Sequence, residues 1–143
     1  MGQYHITINL DKREFINPHK IGLGLKLLEQ CGMAGSSGDV LVMLLACSNG
    51  RGGGDISTKY PGMIGRWAGD RIAVVGDYCQ EDDISGVNIR NIRQLCRNPG
   101  EVDPKLLTTW GSAFKDISDD LIPLINEQFD CHLDPAEGGW RKR

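Results

Sequence analysis

Arg71-Ile72-Ala73-Val74-Val75-Gly76-Asp77 is the stretch on which the fold turns. Its centre is apolar on both faces and Gly76-Asp77 bounds it, so it predicts a strand. Near the N-terminus, Tyr4, Ile6, Ile8 and Leu10 alternate with His5, Thr7 and Asn9. That period of two marks a half-buried strand, ending at Asp11-Lys12-Arg13. Tyr60-Pro61-Gly62 signals a turn, and Met63 to Trp67 is expected to form a short strand paired with 71–75 as a hairpin.

Around these strands the apolar pattern turns helical. Ile21, Leu25, Leu27, Leu28 and Cys31 surround a polar stripe of Lys26, Glu29 and Gln30, predicting a helix over 21–31 stopped by Gly32. Phe15-Ile16-Asn17-Pro18-His19 reads as a loop shaped by its proline. Gly35-Ser36-Ser37-Gly38-Asp39 offers capping side chains to a helix over 40–48, apolar on nearly every face and therefore expected to be central. A strand competes there, but Met43, two leucines and Ala46 favour helix. Within 87–97, Ile89, Ile92 and Cys96 share one helical face while Arg90, Arg93 and Arg97 gather on the other. Asp103-Pro104 opens a helix over 105–115. Ser118-Asp119-Asp120 caps the last one, through Phe129, in which Pro123 delays the start or introduces a kink.

The expected architecture is α+β. A small, mostly antiparallel sheet of three to four strands, built from 3–10, 63–67 and 71–79, packs against three to five helices, those at 21–31, 40–48 and 118–129 above all. Residues 1–130 read as a single globular domain, and 131–143, with Pro135, Gly138 and Gly139, as a loose C-terminal tail.

The chain has 143 residues, 40% hydrophobic and 24% charged, which is ordinary globular usage. Sixteen basic residues against nineteen acidic ones leave a net charge of −3, so no whole-molecule positive field draws it to nucleic acid, and direct nucleic-acid binding is not expected. The longest apolar run, Val40 to Cys47, is far short of the ~20 residues that a membrane-spanning helix needs. Nothing after Met1-Gly2-Gln3 resembles a secretory leader. Five scattered cysteines, without a C-x-x-C pair, argue against a disulfide framework or a zinc ribbon and fit a reducing cytoplasm. Each is expected to act as a small buried hydrophobe.

Several motifs carry candidate chemistry. Nineteen glycines are an excess, and four of them fall in Asn49-Gly50-Arg51-Gly52-Gly53-Gly54-Asp55. Arg51, Gly52, Gly53, Gly54 and Asp55 offer successive backbone N–H groups and a guanidinium, the ingredients of an anion-binding loop. The spacing is not that of a Walker loop, because Lys59 is out of register. Asp77 is a candidate to approach Asp55 in space, where a hard metal ion would find oxygen ligands. Arg90, Arg93 and Arg97 suit phosphates or a carboxylate-bearing partner through bidentate hydrogen bonds. Residues 98–137 hold two basic and nine acidic side chains, so Asp119 and Asp120 belong to an acidic side able to mimic a phosphate backbone.

Asn9-Leu10-Asp11-Lys12 at the end of the first strand, the Asn49 to Asp55 loop, Trp67-Ala68-Gly69-Asp70-Arg71-Ile72, Gly76-Asp77-Tyr78 and Asp116-Ile117-Ser118-Asp119 form a recognisable set. With them the chain resembles a family of small uncharacterised proteins encoded in bacterial, phage and plasmid genomes. The likeness covers residues 2–80 best and 114–126 more weakly, and it carries no established activity. The segment Ser85 to Trp110 departs from the family's pattern, and a partner-specific role is expected there.

The expected function is that of a non-enzymatic binding protein of mobile-element type. It would occlude a larger host or defence protein, as an anti-CRISPR-like inhibitor does, with no catalytic residue, cofactor or metal. Its partner-binding residues would be Arg90, Arg93, Arg97, Asp119 and Asp120. The alternative is a small nucleotide- or phosphoester-handling enzyme using the 51–55 loop with Asp55, Asp77 and a divalent metal.

Overall fold

The computed structural model describes residues 3–22, 24–31, 34–129, 132–133 and 140–141. The elements are β1 (His5–Asn9), β2 (Glu14–Ile16), α1 (Ser37–Leu45), β3 (Ile72–Gly76), α2 (Ile89–Leu95), α3 (Pro104–Trp110), β4 (Lys115–Asp116) and α4 (Ser118–Gln128), with β5 (His132–Leu133) and β6 (Trp140–Arg141) following. The fold is α+β, with four α-helices among the described residues and a four-stranded sheet in the order β3-β1-β2-β4. β1 runs antiparallel to both β2 and β3, and β4 joins β2 in parallel.

Strand alternation divides the apolar side chains between two cores, one on each side of the sheet. Ile8, Phe15 and Val75, which are register neighbours or lie on the same face, pack with Ile89, Ile92 and Leu95 of α2 and with Phe114. Ile16 turns the other way, to Val40 and Leu44 of α1, Trp67, and Leu121, Ile122 and Ile125 of α4. The polar Thr7, Asn9 and Glu14, also on this second side by alternation, are buried with it.

Several sequence expectations are corrected. Met63 to Trp67 is not a strand: Pro61–Met63 winds as a 3-10 turn, and turns follow through residue 70, with Gly65 and Gly69 at positive φ. β3 pairs instead with β1, and β1 forms its hairpin with β2, in the segment expected to be a loop; three residues are too few to display a period. The helix expected over 21–31 shrinks to a 3-10 turn, Leu27–Gln30. Gly22 at φ +82 cannot continue a right-handed helix. The chain there is tethered to β1 by His5 N–H donating to Leu25 O at 2.9 Å, and Leu28 is left 81% exposed.

α1 forms as expected but lies at one side of its core: Val40 and Leu44 are fully buried while Val42 is 71% exposed. In α4 the cap position falls on Ile117, and Ser118 Oγ instead accepts Asn17 N–H at 2.7 Å, anchoring the end of β2. Pro123 sits inside that helix. Of the cysteines, Cys96 is buried, Cys79 half-buried, and Cys31 and Cys47 exposed; Cys131 lies outside the described residues. Of the expected tail, His132–Leu133 pairs antiparallel with Trp140–Arg141, and the rest lies outside the described residues. Among the described residues no helix is long and apolar enough to cross a membrane.

Candidate functional site

The glycine loop is closed upon itself. Asn49 clamps its base, Nδ2 donating to Ile56 O at 3.2 Å and Oδ1 accepting Ile56 N–H at 2.9 Å. Within that ring Asp55 Oδ2 accepts the N–H groups of Gly50 at 2.7 Å and Gly52 at 2.6 Å. Two of the amides that an anion would use are thus held by the loop's own carboxylate. Gly50, Gly52, Gly53 and Gly54 all have positive φ, and a Cβ on any of them would meet nothing within 4 Å. Dihedral angle, not crowding, requires glycine here. Arg51 is exposed, with no hydrogen bond or ion pair among the described residues.

Asp77 works elsewhere. Its Oδ1 accepts Tyr4 N–H at 2.9 Å and its own N–H donates to Tyr4 O at 2.9 Å, closing the end of the β1–β3 ladder. Among the described residues Asp55 and Asp77 share no partner, and no group of three His, Cys, Asp or Glu is placed to hold a metal ion.

The arginine stripe is split by the fold. Arg93 is half-buried and bonded to main chain, Nε donating to Val75 O at 3.2 Å and Nη2 to Tyr4 O at 3.1 Å, so it fastens α2 to the β1–β3 edge. Burial lowers its pKa from the usual value; the charge of Asp77 opposes this and that of Arg97 adds to it. Arg90 and Arg97 are exposed, without a hydrogen bond or ion pair among the described residues.

Arg97 stands where three clefts meet. A polar cleft of about 290 Å³ opens between the sheet and the end of α2, where Asn17, His19, Arg93 and Arg97 line it above Ile6 and Phe15. Glu101 and Asp116 also face it. Asp116 is engaged, its Oδ1 accepting Ser118 N–H at 2.9 Å and its Oδ2 lying 3.2 Å from Lys20 Nζ; Glu101 Oε1 accepts from Asn98 Nδ2 at 3.4 Å. On the far side of Arg97 and Asn98 is an apolar slot of about 430 Å³, walled by Pro99, Leu107, Ala113 and Phe114, with Lys115 among its lining residues. A third cleft, about 350 Å³, runs from Arg97 toward Asp103 and Leu106. Cys96 lines the polar cleft, but burial pushes its thiol pKa up, which keeps it protonated and unreactive.

The acidic side is partly neutralised. Lys20 Nζ lies 3.4 Å from Asp119 Oδ2 as well as near Asp116, and Lys115 Nζ lies 3.7 Å from Asp120 Oδ2. Burial works against the Lys20 charge, but the two aspartates outweigh it and raise its pKa.

Of the expected partner-binding residues, the structure brings Arg93 and Arg97 to one cleft and leaves Asp119 and Asp120 at the start of α4, exposed and paired with lysines. Asn17, His19, Asn98 and Lys115 were not singled out from sequence. They come from separate segments, and no local pattern joins them. The arrangement suits recognition of a carboxylate: a guanidinium fork with no partner among the described residues, beside an apolar wall. No protein-family model, curated protein or solved structure matches this chain.

Proposed function

We propose that this chain is a non-catalytic binding protein that docks a larger protein through the surface around Arg97. In that role it resembles a mobile-element inhibitor occluding a host or defence complex. The observation that supports this most is Arg97 itself, a guanidinium without a hydrogen bond or ion pair among the described residues, at the junction of three clefts. Its neighbour Arg93 is engaged by main-chain carbonyls, so fold stability accounts for one arginine of the pair and not the other. A partner carboxylate would supply the missing bidentate contact. The class of partner comes by analogy alone, from the resemblance to mobile-element proteins read in the sequence motifs.

The test is capture from host lysate at moderate salt by tagged wild-type protein and by R97E, with equal folding verified by circular dichroism. The expected result is one dominant protein retained by wild type and lost with R97E. No retained protein, or equal retention by both, overturns the reading.

A further inference from the structure

Two of the clefts meeting at Arg97 differ in chemistry, and both include Arg97, Asn98 and Asp116 in their linings. Arg97 has no hydrogen bond or ion pair among the described residues, and because it lines both clefts an occupant spanning them passes its side chain. Lys115 adds a second cation by the apolar slot; its ion pair with Asp120, at 3.7 Å between exposed side chains, is loose. Glu101 and Asp116 face the polar cleft, which disfavours a multiply charged phosphate and leaves room for a single carboxylate. Because cleft extends to both sides of Arg97, the chain passes through rather than ending there.

We infer that the occupant is an internal, extended peptide segment of the partner in which an Asp or Glu stands within two residues of a large apolar side chain. The carboxylate pairs with Arg97, and the apolar side chain fills the slot between Pro99, Leu107, Ala113 and Phe114. At about 3.3 Å per residue, an extended segment with that spacing reaches from the guanidinium into the neighbouring slot. This rests on the docking function proposed above and names the chemistry of what is docked.

The test is selection of random linear peptides, displayed on phage, against the full-length protein. Enriched sequences are then synthesised with both ends blocked and measured by fluorescence polarisation. Acid and apolar residue are expected to recur together, with binding at least tenfold weaker to R97E, and at least tenfold weaker when the peptide's acid becomes its amide. Ala113→Leu, which fills the slot, is expected to weaken binding similarly; should that variant not fold, replacing the peptide's apolar residue with alanine reads the same contact. No enrichment, enriched peptides without a carboxylate, binding indifferent to R97E, or binding that needs a free C-terminus each overturns the inference. So does a concentration-dependent dimer that R97E dissolves, since the occupant is then a second copy. If the lysate partner depends on Arg97 but no peptide is enriched, the linear segment fails and the docking function stands. If peptides bind at Arg97 while R97E still captures the lysate partner, the docking function fails.

Discussion

The indole N–H of Trp67 donates to Glu14 Oε1 at 2.8 Å, joining two buried residues 53 positions apart. The same carboxylate takes both Nε and Nη2 of Arg66. Close by, Asp70 accepts from Asn9 Nδ2 at 2.8 Å and from Lys12, and Asp11 accepts Arg71 N–H at 2.7 Å and Arg71 Nε at 2.9 Å. The Asn9 to Lys12 and Trp67 to Arg71 segments are therefore two halves of one clasp.

Removing the centre of that clasp tests its weight. Glu14→Gln keeps an oxygen for the indole but loses the charge pair with Arg66, and is expected to destabilise the fold by about 1 kcal/mol. Glu14→Leu strands a buried donor as well, and about 3 kcal/mol is expected, moderated because Arg66 reaches water. Urea unfolding of the two variants beside wild type checks the order.

Acid should loosen the same clasp. Burial works to raise the pKa of Glu14, but its bonds to Arg66 and Trp67 outweigh this and hold the value below normal. The bond from Lys12, then that from Asn9, lowers Asp70, and Arg71 lowers Asp11. With folded values below unfolded ones, the unfolded chain binds protons more tightly. The stabilisation is complete above the ordinary carboxylate range, at about pH 5, and is lost as pH falls through roughly 4 toward the folded values. Melting temperature followed from pH 7 to 3 should drop in that window, and Glu14→Gln should flatten the drop.

The glycine loop should lose order without loss of the fold. Asp55→Ala frees the Gly50 and Gly52 amides at an exposed site, so global stability is expected to stay within about 0.5 kcal/mol while proteolysis within 50–55 accelerates. In wild type, nucleotides with Mg²⁺ or Mn²⁺ are expected to leave the melting temperature unchanged. A rise of several degrees would favour the phosphoester-handling alternative.

Arg93 and Arg97 should separate stability from binding. Arg93→Ala removes two bonds to main-chain carbonyls from a half-buried site and is expected to cost about 1–2 kcal/mol. Arg97→Ala is expected to change stability by less than about 0.5 kcal/mol. Thermal melts of the two variants decide it.

How far sequence reaches here depends on the length over which a pattern repeats. β1 and β3 were legible because each sustains a strand pattern over five residues or more, and α2 and α4 because their apolar faces recur at helical spacing. β2 was not, since Glu14–Ile16 is buried throughout on two different cores and shows no alternation. The 21–31 segment misled because its leucines kept helical spacing while Gly22 took a left-handed dihedral. Arg97 was legible as one of a stripe. That Arg93 would be drawn into the β1–β3 edge, and Arg97 left without a partner among the described residues, followed only from how α2 docks, a tertiary fact with no local signature.

Once a partner is captured, its dissociation constant for wild type against R97E, both at the same moderate salt, measures the role of Arg97 directly. At least a tenfold weakening by R97E is predicted, about 1.4 kcal/mol, with melting temperature unchanged. Equal affinity for the two proteins would contradict the assignment of this surface to docking.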